Sequence, residues 1–186
     1  MSYFILMAPV GPGNRLADFL PFNDNVDSWV SGEVLSSPPE QPIQLVWDPD
    51  NENGIQASYY PAGIVLMKKD LVAALQECGV DNLDLYDVVI RSNSGKEENH
   101  DYHAVNILGA IAAADMEMSM VMDEGSGMYD VLFGSLVIDE EKANGNLLFR
   151  LAESISTVVI HESVVEALNQ KGNFGLTFLP PEEFCG

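Results

Sequence analysis

Three histidines, two cysteines and 29 acidic side chains are the groups in this 186-residue sequence that could do chemistry. His100 and His103 lie close enough to suggest a shared metal ion. In an extended segment, residues three apart point to opposite faces, so the two rings converge only if that stretch is helical. No metal site is expected there, and no other cofactor. His161 opens a helix-like segment, where a polar side chain beside the cap is ordinary. Cys78 and Cys185 lie far apart with no metal-type spacing, and Cys78 has no histidine nearby in sequence to activate it. Both read as reduced thiols, with Cys78 packing as a small apolar residue.

The glycine-bearing motifs fail the same test. Gly125, Ser126 and Gly127 lack the spacing of a nucleophile elbow, which places glycines two residues either side of the serine. Gly11, Pro12 and Gly13 are followed neither by the Lys and Ser/Thr of a phosphate loop nor by the third glycine of a dinucleotide site. Asp48, Asp50, Glu52 and Gly54 resemble a calcium loop, but the glycine falls one place late and Tyr59 stands where a bidentate glutamate should close the ring. A solvated acidic turn is the better account of that stretch. With so many carboxylates some fall near each other by number alone, and nothing singles out an acid–base pair.

Against the 29 Asp and Glu stand only 8 Lys and Arg, a formal charge of −21. A surface this negative repels nucleic acid and anionic membranes, because phosphate binding depends on clustered Lys and Arg that release condensed counterions. It suits a basic protein partner. A disordered acidic segment would carry the same charge, but 47% apolar residues and a mean hydropathy of +0.05 supply a core. The charge therefore belongs to a folded surface, where it speeds encounter with a cationic partner more than it tightens the final complex. Solubility alone is the competing explanation.

Length predicts one α+β domain over residues 1–186. The apolar start of the chain has no basic flank and runs into Gly11, Pro12 and Gly13, so neither a secretory signal nor a membrane span is expected, and a cytoplasmic location is. Residues 3–7 read as an opening strand, ended by the turn-forming stretch 8–14. Residues 23–53 read as a long, mostly irregular segment rich in Pro, Asp, Asn and Ser, pinned to the body by Trp29 and Trp47.

Two later segments share a pattern. An apolar run at 63–67 leads to Asp70 as helix cap, to Leu71, Val72, Ala74 and Leu75 at helical spacing, and to Gly79 as a stop. The run 157–160 leads likewise to Ser163, Val164, Val165, Ala167, Leu168 and Gly172, each 93 positions after its counterpart. Ser163 and Glu166 make the sequence of a capping box. Apolar stretches at 83–91 and 174–179 follow the two helices. Either two similar strand–helix–strand units or a coincidence of a common element order produces this, and the number of matching positions sets the two on an equal footing. Segments 102–114, 129–138 and 147–151 read as strands, separated by acidic turns at 96–101, 115–127 and 139–145. The sum is α+β, mainly an antiparallel sheet with a few packed helices.

YHAVN at 102–106, ADMEMS at 114–119, FRL at 149–151, VVEALNQKGNFGLTF at 164–178 and SGEVLSSP at 31–38 together resemble the immunity protein eleven family of bacterial polymorphic toxin systems, over nearly the whole chain. The resemblance implies a non-enzymatic antidote: a protein that binds a cognate toxin, often a nuclease with a basic surface, and occludes it. It brings no catalytic residue with it. Asp115 and Ser119 are expected to cap a turn, and Arg150 to pair with a buried acid. Candidate toxin contacts are the acidic loops with an aromatic neighbour, Glu97, Glu98 and Asp101 with Tyr102 and Asp123, Glu124 and Asp130 with Tyr129, and the run Asp139, Glu140, Glu141. Each competes with the plainer reading of a solvated loop. Two other functions stay open at this level: a small hydrolase-like enzyme using scattered carboxylates and His103, and a structural module of a secretion system.

Overall fold

The computed structural model describes residues 2–8, 17–18, 29–47, 56–61, 64–123 and 131–186. In order along the chain these form β1 (Tyr3–Met7), β2 (Ala17–Asp18), β3 (Ile43–Trp47), β4 (Tyr59–Tyr60), β5 (Val65–Lys68) and helix α1 (Lys69–Glu77). Next come β6 (Leu83–Arg91), β7 (Glu98–Asn99), β8 (Tyr102–Ile107), β9 (Ala110–Ile111), β10 (Met120–Asp123) and β11 (Leu132–Ser135). The single-turn helix α2 (Glu140–Ala143), β12 (Leu148–Leu151), β13 (Ser154–His161), α3 (Glu162–Lys171), β14 (Thr177–Leu179) and a 3-10 turn at Pro181–Glu183 complete the list. One sheet has the order β14-β1-β13-β12-β9, a second β2-β3-β6-β8-β5-β4 with β7 on β6, and β10 and β11 form a hairpin. The class is α+β and mainly antiparallel; β3 with β6 and β9 with β12 run parallel.

The 93-residue repeat is carried into three dimensions. Val65 and Met67 of β5, and Val158 and Ile160 of β13, face one central core. Leu71, Val72 and Leu75 of α1 meet Val164, Val165 and Leu168 of α3 in that same core. The alternate strand residues Leu66 and Val159 point the other way, each into an outer core of its own sheet, as a two-residue period requires. Tyr59 opposite Met67 corresponds to Leu148 opposite Ile160. On the far side β8 pairs with both β5 and β6, and in the second unit that place is taken by β1. Tyr102 lies opposite Lys68 as Tyr3 lies opposite His161; Ala104 lies opposite Tyr86 as Ile5 lies opposite Leu179. Even the backbone bond at each helix start recurs, Lys69 N–H to Asp101 C=O and Glu162 N–H to Ser2 C=O, both 2.8 Å. The second unit is thus completed by a strand from the beginning of the sequence.

Both helices start earlier than their sequence signals. β5 runs into α1 with no turn between them, so Lys68 takes the cap position without a side-chain bond and Asp70 falls inside the first turn. In α3 the cap is His161, whose Nδ1 accepts the Ser163 amide at 3.1 Å and meets Ser163 Oγ at 2.8 Å, which places Ser163 inside the helix and leaves the Ser163–Glu166 box unformed. The strand predicted over 102–114 breaks at Leu108–Gly109, where Gly109 has φ +96, and residues 115–127, read as a turn, contain β10.

The segment expected to be irregular contains a regular strand, β3, and its two tryptophans are buried as predicted. Trp29 stacks edge-on against Tyr86, centroids 5.2 Å apart, and Trp47 against Tyr102 at 6.1 Å. Two bonds fasten the SGEV stretch between them, Gly109 N–H to Gly32 C=O at 2.8 Å and Asn106 Nδ2 to Glu33 C=O at 2.8 Å, and Arg150 Nη2 holds the Trp29 C=O at 3.2 Å. Arg150 also donates to Ile155 C=O at 2.8 Å, so both of these bonds run to backbone carbonyls. Residues 11–13, 48–54 and 125–127, which hold the rejected glycine and calcium-like motifs, lie outside the described residues.

Candidate functional site

The first acidic group sits on the connection between β6 and β8. Ser92 closes the turn: its amide donates to Glu97 C=O at 2.9 Å, its carbonyl accepts Gly95 N–H at 2.8 Å, and its Oγ accepts Glu97 N–H at 3.1 Å. Gly95, at φ +67, supplies the left-handed residue that turn needs. β7 then returns with Glu98 opposite Arg91, and the two side chains meet at 2.9 Å. His100 Nε2 lies 3.3 Å from the other oxygen of Glu98. The Arg91 hydrogen bond, first among several causes, holds the Glu98 carboxyl below its ordinary range. Glu97, Glu98, His100 and Asp101 line an open cavity of about 330 Å³ against Trp47 and Ile90. Glu97 and Asp101 enter no ion pair among the described residues. Tyr102 does not belong to this surface: it is fully buried, its hydroxyl donating to Ala57 C=O at 2.7 Å, because strand alternation turns it into the aromatic core.

The second group belongs to the β10–β11 hairpin and its base. Asp123 ends β10 and is exposed. Glu124, Tyr129 and Asp130 lie outside the described residues. Asp139 caps α2, accepting the amides of Glu141 at 3.0 Å and Lys142 at 3.1 Å, and the Lys142 amide is the main cause that lowers its pKa. The turn expected at 139–145 is therefore a short helix, with Glu140 and Glu141 exposed on it. Asp115 Oδ1 accepts the amides of Glu117 and Met118, each at 3.1 Å, the turn cap expected from the sequence, while Ser119 Oγ reaches across to accept Val137 N–H at 2.9 Å. No described bond joins this group to the first.

Reading residues 115–127 as an acidic turn overlooked four methionines at alternate positions, Met116, Met118, Met120 and Met122, all exposed. Met120 and Met122 lie on β10, and their two-residue spacing across Val121 was the available signal of a short strand with an apolar outer face; Met116 and Met118 stand on the turn before it.

The Ser163 hydroxyl lies 2.8 Å from His161 Nδ1, but that nitrogen also accepts the Ser163 amide as the cap of α3. His103 Nδ1 lies 3.5 Å from Asp87, whose same oxygen is 3.9 Å from Lys69 Nζ. Burial first, then Lys69, pushes its pKa down, so the ring is neutral at pH 7. His103 lines neither this cavity nor the one of about 370 Å³ between Tyr3, Leu136 and Pro181. His100 and His103 face different carboxylates, and His161 is occupied at its helix cap. Among the described residues no group of three or more His, Cys, Asp or Glu is placed to hold a metal ion, and no helix is long and apolar enough to cross a membrane. Cys78 packs half-buried against the central core and Cys185 is exposed.

What the arrangement offers is carboxylates on open, concave or flat surfaces, a chemistry of recognition of Lys and Arg. The fold and these surfaces define an acidic α+β protein with carboxylates exposed on its surface. The Immunity protein family (Imm11) matches residues 22–182, nearly the whole chain, and the chain belongs to that family. No curated protein matches it. Membership gives the chain an immunity role and a cognate toxin as partner, in agreement with the resemblance carried by its sequence.

Proposed function

We propose that this chain neutralises a toxin whose working surface is basic by covering that surface, with no bond made or broken. Glu97 and Asp101, which line one open cavity and enter no ion pair among the described residues, carry this reading. A Lys or Arg of the toxin entering there would complete a charge-assisted hydrogen bond. The formal charge of −21 supports the same pairing at long range. A nuclease fits as the toxin class, because a cleft that holds phosphates must itself be basic. Glu98, Asp123, Asp139, Glu140 and Glu141 extend the contact surface, with Glu124, Tyr129 and Asp130 completing it from the sequence. The protein acts without cofactor, in the cytoplasm, and touches neither nucleic acid nor membrane.

Co-expression with the toxin domain encoded beside this chain tests the reading. The unaltered chain should restore growth. A Glu97→Lys/Asp101→Lys variant should lose rescue while keeping its circular dichroism spectrum and Tm. Full rescue by that variant would remove the acidic cavity from the mechanism, and failure of the unaltered chain would remove the immunity reading itself.

A further inference from the structure

Of the eight methionines in the sequence, four stand at alternate positions from 116 to 122. Met118, Met120 and Met122 are 71, 64 and 66% exposed, and Leu132 across the hairpin is 48% exposed. Strand alternation explains the sidedness. Val121 and Phe133 turn inward onto Leu136 and Phe149, which leaves Met120, Met122 and Leu132 outside. Gly134 adds to this: it has no side chain, and the Met120 and Met122 sulfurs lie 3.3 and 3.2 Å from where a Cβ would stand. The outer face is therefore a sheet of flexible thioethers resting on a glycine, a surface able to mould itself to a partner. An exposed apolar surface of this kind marks an interaction site. The far edge of β11 is already occupied, since Phe133 and Gly186 exchange both backbone bonds at 2.7 and 3.1 Å; no further strand pairs with β10 among the described residues.

Charge selects the occupant. Asp115, Glu117 and Asp123 flank the methionines in sequence, and Asp139, Glu140 and Glu141 stand at the base of the same hairpin, where Asp139 N–H bonds to Ala113 C=O and Ala114 pairs with Ile138. No Lys or Arg occurs between Lys96 and Lys142. A second copy of the chain would set this acidic rim against itself, and an anionic membrane would be repelled in the same way. A protein surface with an apolar or aromatic anchor ringed by Lys and Arg fits both centre and rim. We infer that the outer face of the β10–β11 hairpin is where the cognate toxin docks with such an anchor. This rests on the immunity reading above and adds an apolar centre to a surface otherwise defined by acids.

Methionine oxidation by hydrogen peroxide, read by mass spectrometry, reports on the face without mutation. In a saturated complex with the toxin domain encoded beside this chain, Met118, Met120 and Met122 should oxidise at least about tenfold more slowly than in the free chain, as burial in an anchor pocket requires. A Met118→Gln/Met120→Gln/Met122→Gln variant should keep its Tm and bind that toxin domain at least about tenfold more weakly. Unchanged oxidation in a formed complex, or unchanged affinity of the variant, overturns the proposal while leaving the immunity role intact. Protection that grows with the chain's own concentration and no toxin assigns the face to a second copy and overturns it too. Absence of any complex overturns both readings together.

Discussion

Gly32 ties the segment between the two tryptophans to the rest of the molecule, and its residue type is forced. Its φ is +76, and a Cβ there would stand 2.8 Å from Ala110 N and 2.9 Å from Gly109 C. A Gly32→Ala variant should therefore lose about 1–3 kcal/mol of stability, measured by urea denaturation; an unchanged midpoint would mean that the loop shifts freely. Asp139 gives a residue-scale pH effect. The backbone amide of Lys142 holds its folded pKa below the ordinary 3.8. A depressed carboxyl pKa contributes stability that is present above the unfolded value and lost as pH falls through the folded one. The stability difference between the protein and an Asp139→Ala variant should be constant near neutral pH and shrink on acidification below about 3.8. Thermal melts across pH 3–7 would show it, and a pH-independent difference would contradict the cap's ionic character.

The elements owe their arrangement to a duplicated strand–helix–strand unit whose two copies bury their helices against each other. Leu75 and Leu168 hold corresponding places in that shared core, both about 1% exposed. Truncation of either to Ala should cost about 2–5 kcal/mol. The double variant should depart from additivity by about 0.5–3 kcal/mol, because neighbours lining one cavity relax together. Strict additivity in a double-mutant cycle would show that the helices are stabilised separately. At the rim of this core Lys171 pairs with Glu77 at the surface, each shifting the other toward its charged form. The methionine hairpin lies outside the duplication, on the core of the β1-containing sheet. A partner seated there leaves the shared helix core undisturbed.

For the whole molecule the long-range field is the dominant feature. A net charge of −21 steers a cationic partner over distances that salt then screens. The association rate with the toxin domain should fall at least about tenfold between 20 mM and 0.5 M salt. Its dissociation rate should change much less, since the methionine face supplies contacts that ions do not screen. Stopped-flow or surface-based kinetics at graded ionic strength would measure both, and an association rate independent of salt would mean that the charge serves solubility alone.

Composition, periodicity and family motifs were enough to read the α+β class, the apolar runs of β1, β5, β6, β12 and β13, the two helices, the burial of Trp29 and Trp47 and the membership of the chain in its family. These are legible because each depends on local spacing or on sums over the chain. The cap positions escaped because helix starts depend on how far the preceding strand stays paired, a matter of Asp101 and Ser2, which are distant in sequence. Tyr102 was misplaced because an acidic neighbourhood says nothing of which way a strand residue turns. The tertiary structure alone decided that β1 completes the second unit in the place β8 holds in the first, since strand pairing joins segments without regard to their separation along the chain. It alone set Met120 and Met122 facing outward over Gly134, because the side that a two-residue alternation exposes is fixed by the core that its other side finds.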